Sequence, residues 1–494
     1  MDFDVGIVGY GPVGATLGNL LGMAGISTVI FERESSVYHA PRAGHFDDEV
    51  MRVWQTVGLA DAIEPTLRIN PGMRFVNAKG DTLINWPRPQ EVSPQGWNAS
   101  YRFHQPTLER ILRQGIARFD HKVLLENEVQ SFVESGDHVA VHSRDLRTGD
   151  EQTVRCRYVV GCDGGRSLVR RSMNSGMNDL QSDEKWLVVD VELTEDLPAL
   201  GDFTIQYCDP ARPVTYARGV GGHRRWELML VEGDDPATIA QEDSVWRLLK
   251  PWIAPTQARI ERATVYNFHA LVTRGWRDGR LILAGDSAHQ MPPFLGQGMC
   301  AGIRDASNLA WKLAAVLQRR APEALLDTYE SERSPHVRKY IEQAIRLGSL
   351  IQIKDPAEAR RRDEMFRNDP EVMKSIKPAL GSGLHGANGA PAGELAPQPR
   401  LADGRRMDDA VGLKFALLST RQFFDMLPAA TVETLQANDV VLLVGEGLDY
   451  LHALGAQAAI VRPDRYLLGA ATKISDMETL VSRLPFSSRI GHAA

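Results

Sequence analysis

DVGIVGYGPVGATLGNLLGMAGISTVIFER, residues 4–33, decides how the rest of the chain is read. An apolar run from Val5 to Val8 enters Gly9-Tyr10-Gly11-Pro12-Val13-Gly14, a helical pattern follows to about Ala24, and a second apolar run from Ser27 to Phe31 ends on Glu32. Strand, glycine-rich turn, helix and strand in this order point to the βαβ unit that holds dinucleotides, a merely structural glycine turn being the plain alternative. Gly9 permits the tight turn, Gly11 lets a pyrophosphate approach the backbone, and Gly14 lets the helix pack close to the sheet. The helix N-terminus turns free N–H groups and a positive dipole end toward the phosphates. Glu32 stands where an acid accepts bonds from ribose hydroxyls, with Arg33 beside it as a further cofactor contact.

Val5 to Phe31 carries no charged residue, so length alone would admit a membrane span or a signal peptide. The acidic start Met1-Asp2-Phe3-Asp4, the interrupting glycines (9, 11, 14, 18, 22 and 25) and the β-rich end favour a buried parallel unit, apolar on both strand faces. At 494 residues the chain calls for two or three domains. A hydrophobic content of 43% and a charged content of 24% are those of a soluble globular protein. The net charge of -7, without a long basic run, argues against nucleic acid as a partner. Cys156, Cys162, Cys208 and Cys300 have neither CxxC nor metal-ligand spacing. They are expected to be reduced thiols of a cytoplasmic protein with no metal site. No other stretch resembles a membrane span, and no internal repeat is present.

Past Glu32 the chain reaches Arg42 and then Ala43-Gly44-His45-Phe46-Asp47, with a helix expected from Asp47 or Asp48. Arg42 and His45 fall where a bound dinucleotide would lie; a solvated arginine and a packed histidine are the plain alternatives. Residues 72–103 alternate and turn like a hairpin, and Pro106, Thr107 and Glu109 suit the first turn of the helix that follows. Gln105 either reaches a ligand or caps that turn. Residues 122–160 read as a β-meander that runs into Asp163-Gly164-Gly165-Arg166-Ser167. A carboxylate and pliant backbone are thereby placed near the first turn, with Asp163 as an ordinary turn residue the alternative.

Between Trp186 and Phe268 the strands WLVVDVEL, GDFTIQYCD, VTYARGVG and RRWELMLV predict a small, mostly antiparallel sheet roofing a pocket. Tyr207, Tyr216 or Trp226 could face that pocket, although core packing is the default for each. A third constellation is RLILAGDSAHQMPPFLGQGM (280–299). Its strand ends in Gly285-Asp286, and Asp286 points to the crevice beyond the strand's carboxyl end. A proline-stiffened loop follows, then a helix from about Met299 to Leu317. Gly296 and Gly298 admit a cofactor ring, and the helix N-terminus would stabilise negative charge on it. GQGMCA follows Pro-Pro-Phe-Leu rather than a strand and is no second dinucleotide fold. Residues 323–376 read as charged helices, 377–400 as a Gly/Pro-rich linker, and the remainder as a small α/β domain without cysteine.

GYGPVG with Glu32, the Asp163-Gly164 pair and AGDSAHQMPPFLGQGMCAGIRDASNLAWKL, in this order, resemble the single-component flavoprotein aromatic hydroxylases of the p-hydroxybenzoate hydroxylase fold over about 1–375. The 385–494 segment, with VRPDRYLLG, is similar to the thioredoxin-like C-terminal domain of the larger phenol-hydroxylating members. CDPARPVTYARGVGGHRRWELML looks most like the 3-(3-hydroxyphenyl)propionate hydroxylases.

The resemblance implies an α/β protein: a Rossmann-like FAD-binding domain (1–71, 104–180 and 269–376), an inserted, mostly antiparallel substrate sheet (72–103 and 181–268), a linker (377–400) and a thioredoxin-like domain (401–494). It assigns the FAD pyrophosphate to Gly9, Gly11 and Gly14 and the adenosine ribose to Glu32. Arg42 and Gln105 would lie along the ribityl and pyrophosphate, Asp163 and Gly164 would serve FAD and NAD(P)H, and Asp286 would bind the ribityl chain. Pro292 through Gly296, Gln297, Gly298 and Met299 would border the isoalloxazine ring. Cys300 departs from the polar residue expected at its position.

NAD(P)H and O2 would then hydroxylate a phenolic substrate, ortho to its hydroxyl, through a flavin C4a-hydroperoxide, in the degradation of aromatic compounds. Pro292, His45 and Tyr216 are the catalytic candidates, with Tyr101 and His289 as further places for a base. Arg212, Arg218 or Arg225 could pair with a substrate carboxylate. A homodimer through the C-terminal domain is compatible with this reading. The rivals are a flavin-dependent halogenase, for which no WxWxI-like string is found, an FAD-dependent dehydrogenase, and a non-catalytic flavin-binding protein.

Overall fold

A computed structural model describes residues 1–173, 175–367, 371–386 and 391–486. Its first layer grows from the opening βαβ unit. Phe3–Val8 pairs in parallel with Thr28–Phe31 on one side and with Glu151–Gly161 on the other. Thr28–Phe31 then pairs in parallel with Lys122–Leu124, and Glu151–Gly161 with Leu281–Leu283. Val5, Ile7, Val29 and Ile30 are fully buried, as strands covered on both faces require. The helix Pro12–Met23 crosses between the first two strands, and Gly298–Leu317 packs against it. Only Asn127–Ser135, His138–Asp145 and Glu151–Gly161 form the antiparallel meander; Lys122–Leu124, expected in it, joins the parallel sheet instead.

The second layer is a nine-stranded mixed sheet. Its axis is the pair Met177–Leu193 and Ala258–Thr273, antiparallel along most of their length. His223–Met229, Val214–Arg218 and Thr204–Tyr207 follow outward, then Gly72–Val76 and Thr82–Pro87. Two short edges come from segments that the sequence pattern assigned elsewhere, His289–Gln290 and Glu371–Val372. Ser100–Arg102, expected with the 72–103 hairpin, pairs with His45–Asp47 and Arg68–Ile69 in a separate three-stranded sheet.

Alternation along the roof strands separates two faces. Leu187, Val189, Val214, Tyr216, Trp226 and Leu228 pack with Val245 and Leu249 of the helix Glu242–Leu249. The opposite face, with Phe75, Trp186 and Met229, packs on Phe294 and Leu295 of the 292–298 loop. Trp186 meets Phe294 edge-on with ring centroids 5.6 Å apart.

The C-terminal sheet runs Val441–Val444, Ala416–Ser419, Ala458–Val461, Leu467–Ala471, the first pair parallel and the next two antiparallel. Its hairpin tip, Arg462–Tyr466, is driven into the body. Arg462 pairs with Glu332 at 2.7 Å, and Glu332 also accepts from Lys312 at 2.7 Å. Arg465 pairs with Asp408 at 3.2 Å, and Asp408 with Arg52 at 2.8 Å. Solvent reaches almost none of these side chains. Residues 377–386 and 391–400 are held on the body at both ends, Lys377 on Asp48 (2.7 Å) and the Gln398 N–H on the Pro94 carbonyl (2.8 Å).

Candidate active site

Because Phe3–Val8, Glu151–Gly161 and Leu281–Leu283 are parallel neighbours, the residues after each emerge at one edge of the sheet. Gly9, Asp163 and Gly285-Asp286 are therefore brought together. Gly9 has φ +100°, and a Cβ there would stand 2.4 Å from the Cys162 carbonyl oxygen. At Gly14 a Cβ would lie 2.0 Å from the Gly9 carbonyl oxygen. Gly11 is the opposite case: an added Cβ meets no protein atom within 4 Å, and no side chain caps the helix behind it. A wedge of open space beside uncapped N–H groups is what a pyrophosphate requires.

Asp163 Oδ2 accepts from the N–H groups of Leu168 (2.6 Å) and Val169 (3.2 Å), while its Oδ1 is buried with no partner among the described residues. Gly164, at φ +76°, has open space on its Cβ side. The Asp286 carboxylate reaches the cleft; the protein around it raises its pKa, and the charges of His289 and Arg42 act against that. Glu32 is anchored by the N–H groups of Tyr10 (2.9 Å) and Glu34 (3.0 Å), and each of its oxygens keeps accepting capacity for a hydroxyl. Arg33 turns outward onto Glu34 at 3.2 Å, its side chain 70% exposed, and is not brought to the cleft.

Gln105 is the first residue of the helix Gln105–Ile116. Its Oε1 accepts from the N–H groups of Arg42 (2.8 Å) and Ala43 (2.6 Å), and its amide nitrogen donates to Glu109 (2.6 Å), so it braces the Arg42 loop. From above, Arg225 donates to the Arg42 carbonyl (2.7 Å) and Arg262 to the Pro41 carbonyl (2.6 Å). Both arginines hold Asp190, at 2.7 and 2.8 Å. All three arginines considered for a substrate carboxylate are thus engaged, Arg225 here, Arg212 with Asp234 and Arg218 with Asp202.

The 292–298 loop closes the cleft. Pro292 is buried and extended, and Gly296 is left-handed at φ +64°. Gly298 and Met299 are partly open at the start of the helix Gly298–Leu317, which has no side-chain cap. Gln297 donates to Asp47 (3.1 Å) and accepts from Arg304 (3.0 Å). Burial would push Asp47 up, but the Arg304 guanidinium more than offsets it and holds the acid at about 2. The Cys300 thiol, which burial pushes up, faces the carbonyls of His45 and Gly296, both at 3.8 Å.

His45 bridges loop and sheet, with Nδ1 3.3 Å from the Gly296 carbonyl and Nε2 2.7 Å from Ser100 Oγ. Burial, with the Arg88 charge, lowers its pKa to about 4. The ring is neutral, so Nδ1–H donates to Gly296 and Nε2 accepts from the Ser100 hydroxyl. A histidine held neutral by the fold favours the native state above its ordinary pKa of 6.5 and loses that preference as pH falls toward 4. His45→Asn is expected to flatten the fall in thermal midpoint between pH 6.5 and 4, and a pH series of unfolding scans on both proteins checks it.

Tyr216 is not brought to the cleft: it packs on Trp226 (5.1 Å between centroids) on the roof face turned away from the 292–298 loop. Tyr101 is stacked on Phe46 at 5.3 Å, and His289 is buried against Asp305 at 2.7 Å. Away from the cleft, His223 Nδ1 lies 2.8 Å from Glu192 and 3.1 Å from Glu261, a grouping that a shared proton satisfies. Sequence reasoning missed Asp47, Glu49, Arg304 and Asp305. Their one signal was charge at 304–305, which with Lys312 interrupts a mostly apolar helix.

A cleft of this form, under a mixed sheet, has the makings of a site for a dinucleotide cofactor. The chain belongs to the FAD binding domain family, whose model matches residues 2–344. A probable NADH-specific resorcinol 4-hydroxylase of Rhodococcus jostii (strain RHA1) is 35% identical, over 97% of this chain and 94% of its own length. A 3-(3-hydroxy-phenyl)propionate/3-hydroxycinnamic acid hydroxylase of Comamonas testosteroni is 31% identical, over 95% and 94%. The flavin-dependent monooxygenase PieE, solved with FAD and substrate, shares the fold at a TM-score of 0.85 and 20% identity, covering 98% of each chain. The protein is an FAD-dependent aromatic hydroxylase that takes NAD(P)H as co-substrate and has a mixed α/β fold. Among the described residues, no helix is long and apolar enough to cross a membrane.

Proposed function

We propose that this protein hydroxylates a single-ring phenol carrying a second substituent meta to its hydroxyl, at a position ortho to that hydroxyl. The substituents named in the two relatives, the second hydroxyl of resorcinol and the acidic chain of 3-(3-hydroxyphenyl)propionate, both stand meta to a phenolic hydroxyl. The observation that carries the reading is the apolar roof face of Phe75, Trp186 and Met229, seated on Phe294 and Leu295 next to the Gly296–Gly298 turn. An apolar wall of this kind, beside a loop opened by glycine, suits a flat ring.

Gly9, Gly11 and Gly14 would hold the FAD pyrophosphate, Glu32 the ribose, Asp163 and Asp286 the linking chain, and Gly296 to Met299 the ring edge. FAD held there would supply a hydride acceptor for NAD(P)H and the means to activate O2, one oxygen atom entering the phenol and the other leaving as water. Pro292 and Phe294 exclude water from beside the ring. His45, fixed between Ser100 and Gly296, holds the loop in its left-handed turn and is a positioning residue rather than the base. Val13, Gly14 and the uncapped N–H groups at Gly298 stabilise negative charge at the two ends of the cofactor. The strand order within 401–486 supports reading that unit as thioredoxin-like, and a nicotinamide co-substrate suits the cytoplasm.

The test is NADH and NADPH oxidation by the FAD-loaded protein with resorcinol, 3-(3-hydroxyphenyl)propionate and phenol, with product mass read in the same tubes. Faster oxidation with a product one oxygen heavier for a meta-substituted phenol is the expected result. Peroxide as the sole product with every phenol overturns it.

A further inference from the structure

The C-terminal hairpin reaches the flavin-facing loop through an unbroken line of buried hydrogen bonds. Arg333 donates to His336 Nδ1 (2.8 Å), and His336 Nε2 lies 3.2 Å from the Tyr466 hydroxyl. Tyr466 lies 2.6 Å from Glu49 Oε1. The other oxygen of Glu49 accepts from Arg304 Nε (2.5 Å). Arg304 in turn donates to Gln297 (3.0 Å) and to Asp47, closing on the loop. At its far end Arg333 also holds Asp305 (2.9 Å), whose second oxygen accepts from the Gly285 N–H (3.0 Å).

Every proton in this line has one consistent direction. His336 is kept neutral by burial and by Arg333, so its Nε2–H donates to Tyr466. Burial keeps the Tyr466 phenol protonated, so it donates in turn to Glu49. Glu49 then has both oxygens committed, and Arg304 has a single acid orientation to follow. The Arg333 end meets the substrate sheet at its edge, where Asp305 holds His289 at 2.7 Å.

We propose that Tyr466, from the C-terminal domain, is a positioning residue of the flavin site: through Glu49 it orients Arg304, and Arg304 sets the Gln297 side chain and the loop that borders the isoalloxazine ring. The C-terminal domain is thereby part of the cofactor site. This rests on the FAD reading above.

Tyr466→Phe keeps the ring and removes only the donor. In the full-length protein it is expected to weaken FAD retention about tenfold, the loss of one hydrogen bond to a charged partner. It should also shift the visible flavin spectrum and raise the share of NADH oxidised to peroxide, with the phenol KM little changed. Glu49→Gln should reproduce these changes, and the double variant should add little to either. Leu435→Ala, buried in the same domain without a polar contact, should lower the thermal midpoint alone. If Tyr466→Phe behaves as Leu435→Ala does, with wild-type FAD affinity, spectrum and coupling, Tyr466 is structural and the proposal is wrong. If the wild-type protein itself takes up no FAD, the functional reading falls and takes this proposal with it.

Discussion

Gly14→Ala is expected to collapse the first turn and abolish FAD binding, whereas Gly11→Val is expected to fold normally and lose FAD alone. The two glycines are three residues apart and would be treated alike from their motif. At Gly14 the new carbon would sit 2.0 Å from the Gly9 carbonyl oxygen, a backbone atom that can yield only if the strand and helix separate. Overpacking of that kind costs about 3 kcal/mol or more. At Gly11 the backbone is φ −72°, ψ −172°, open to any residue, and the space beside it is free of protein atoms. A valine there fills the volume needed by phosphate. Thermal midpoints of the two apo-proteins, with FAD titrations of each, separate the cases. Equal stability of the two variants would contradict the close packing at Gly14.

The second large effect is expected at Glu332. Its carboxylate accepts from Lys312, Arg462 and Asn308, at 2.7, 2.7 and 3.0 Å, in a site closed to solvent. Glu332→Ala leaves two buried cations facing Asp464 alone, and breaking such a group costs about 3–5 kcal/mol. Burial already pulls Lys312 down to about 8, and without Glu332 to hold its proton it falls further. Burial would raise the Glu332 pKa, but Arg462 and Lys312 together hold it well below 4.5. Stability from this acid is therefore complete above pH 4.5 and lost as pH falls through the depressed value. Urea unfolding from pH 7 to pH 3 should show the variant low at pH 7 and falling less than wild type at the acid end, by the share that Glu332 contributes. A variant as stable as wild type at pH 7 would mean that the cluster is neutral to folding.

Much of the cleft was legible in the sequence because it is built from local rules. Gly9-Tyr10-Gly11-Pro12-Val13-Gly14 announces its own turn, and Asp286 follows its strand directly. What escaped was set by pairing between distant segments. Ser100–Arg102 has the alternation of a roof strand but finds its partners in His45–Asp47 and Arg68–Ile69. Tyr216 alternates as an inward residue would, yet which face is inward depends on the register of neighbouring strands, and one residue of register reverses it. Arg225 looked like a free cation until Asp190, on the paired strand, claimed it. The 377–400 stretch has linker composition, and only the tertiary fold shows Lys377 on Asp48 and Gln398 on Pro94.

The seating of the Arg462–Tyr466 tip also bears on how the protein is made. Glu49 and Tyr466 are 417 residues apart, and Glu332 waits 130 residues for Arg462. A ribosome therefore releases the whole dinucleotide layer before the residues that neutralise its interior exist. Until the last hairpin emerges, Glu332 and Lys312 lack Arg462 and Asp464, and the 292–298 loop lacks the Tyr466 end of its proposed support. On the proposed role of Tyr466, cofactor capture is expected at the end of synthesis, and a chain cut short before Arg462 is expected to be a substrate for proteases rather than a smaller enzyme.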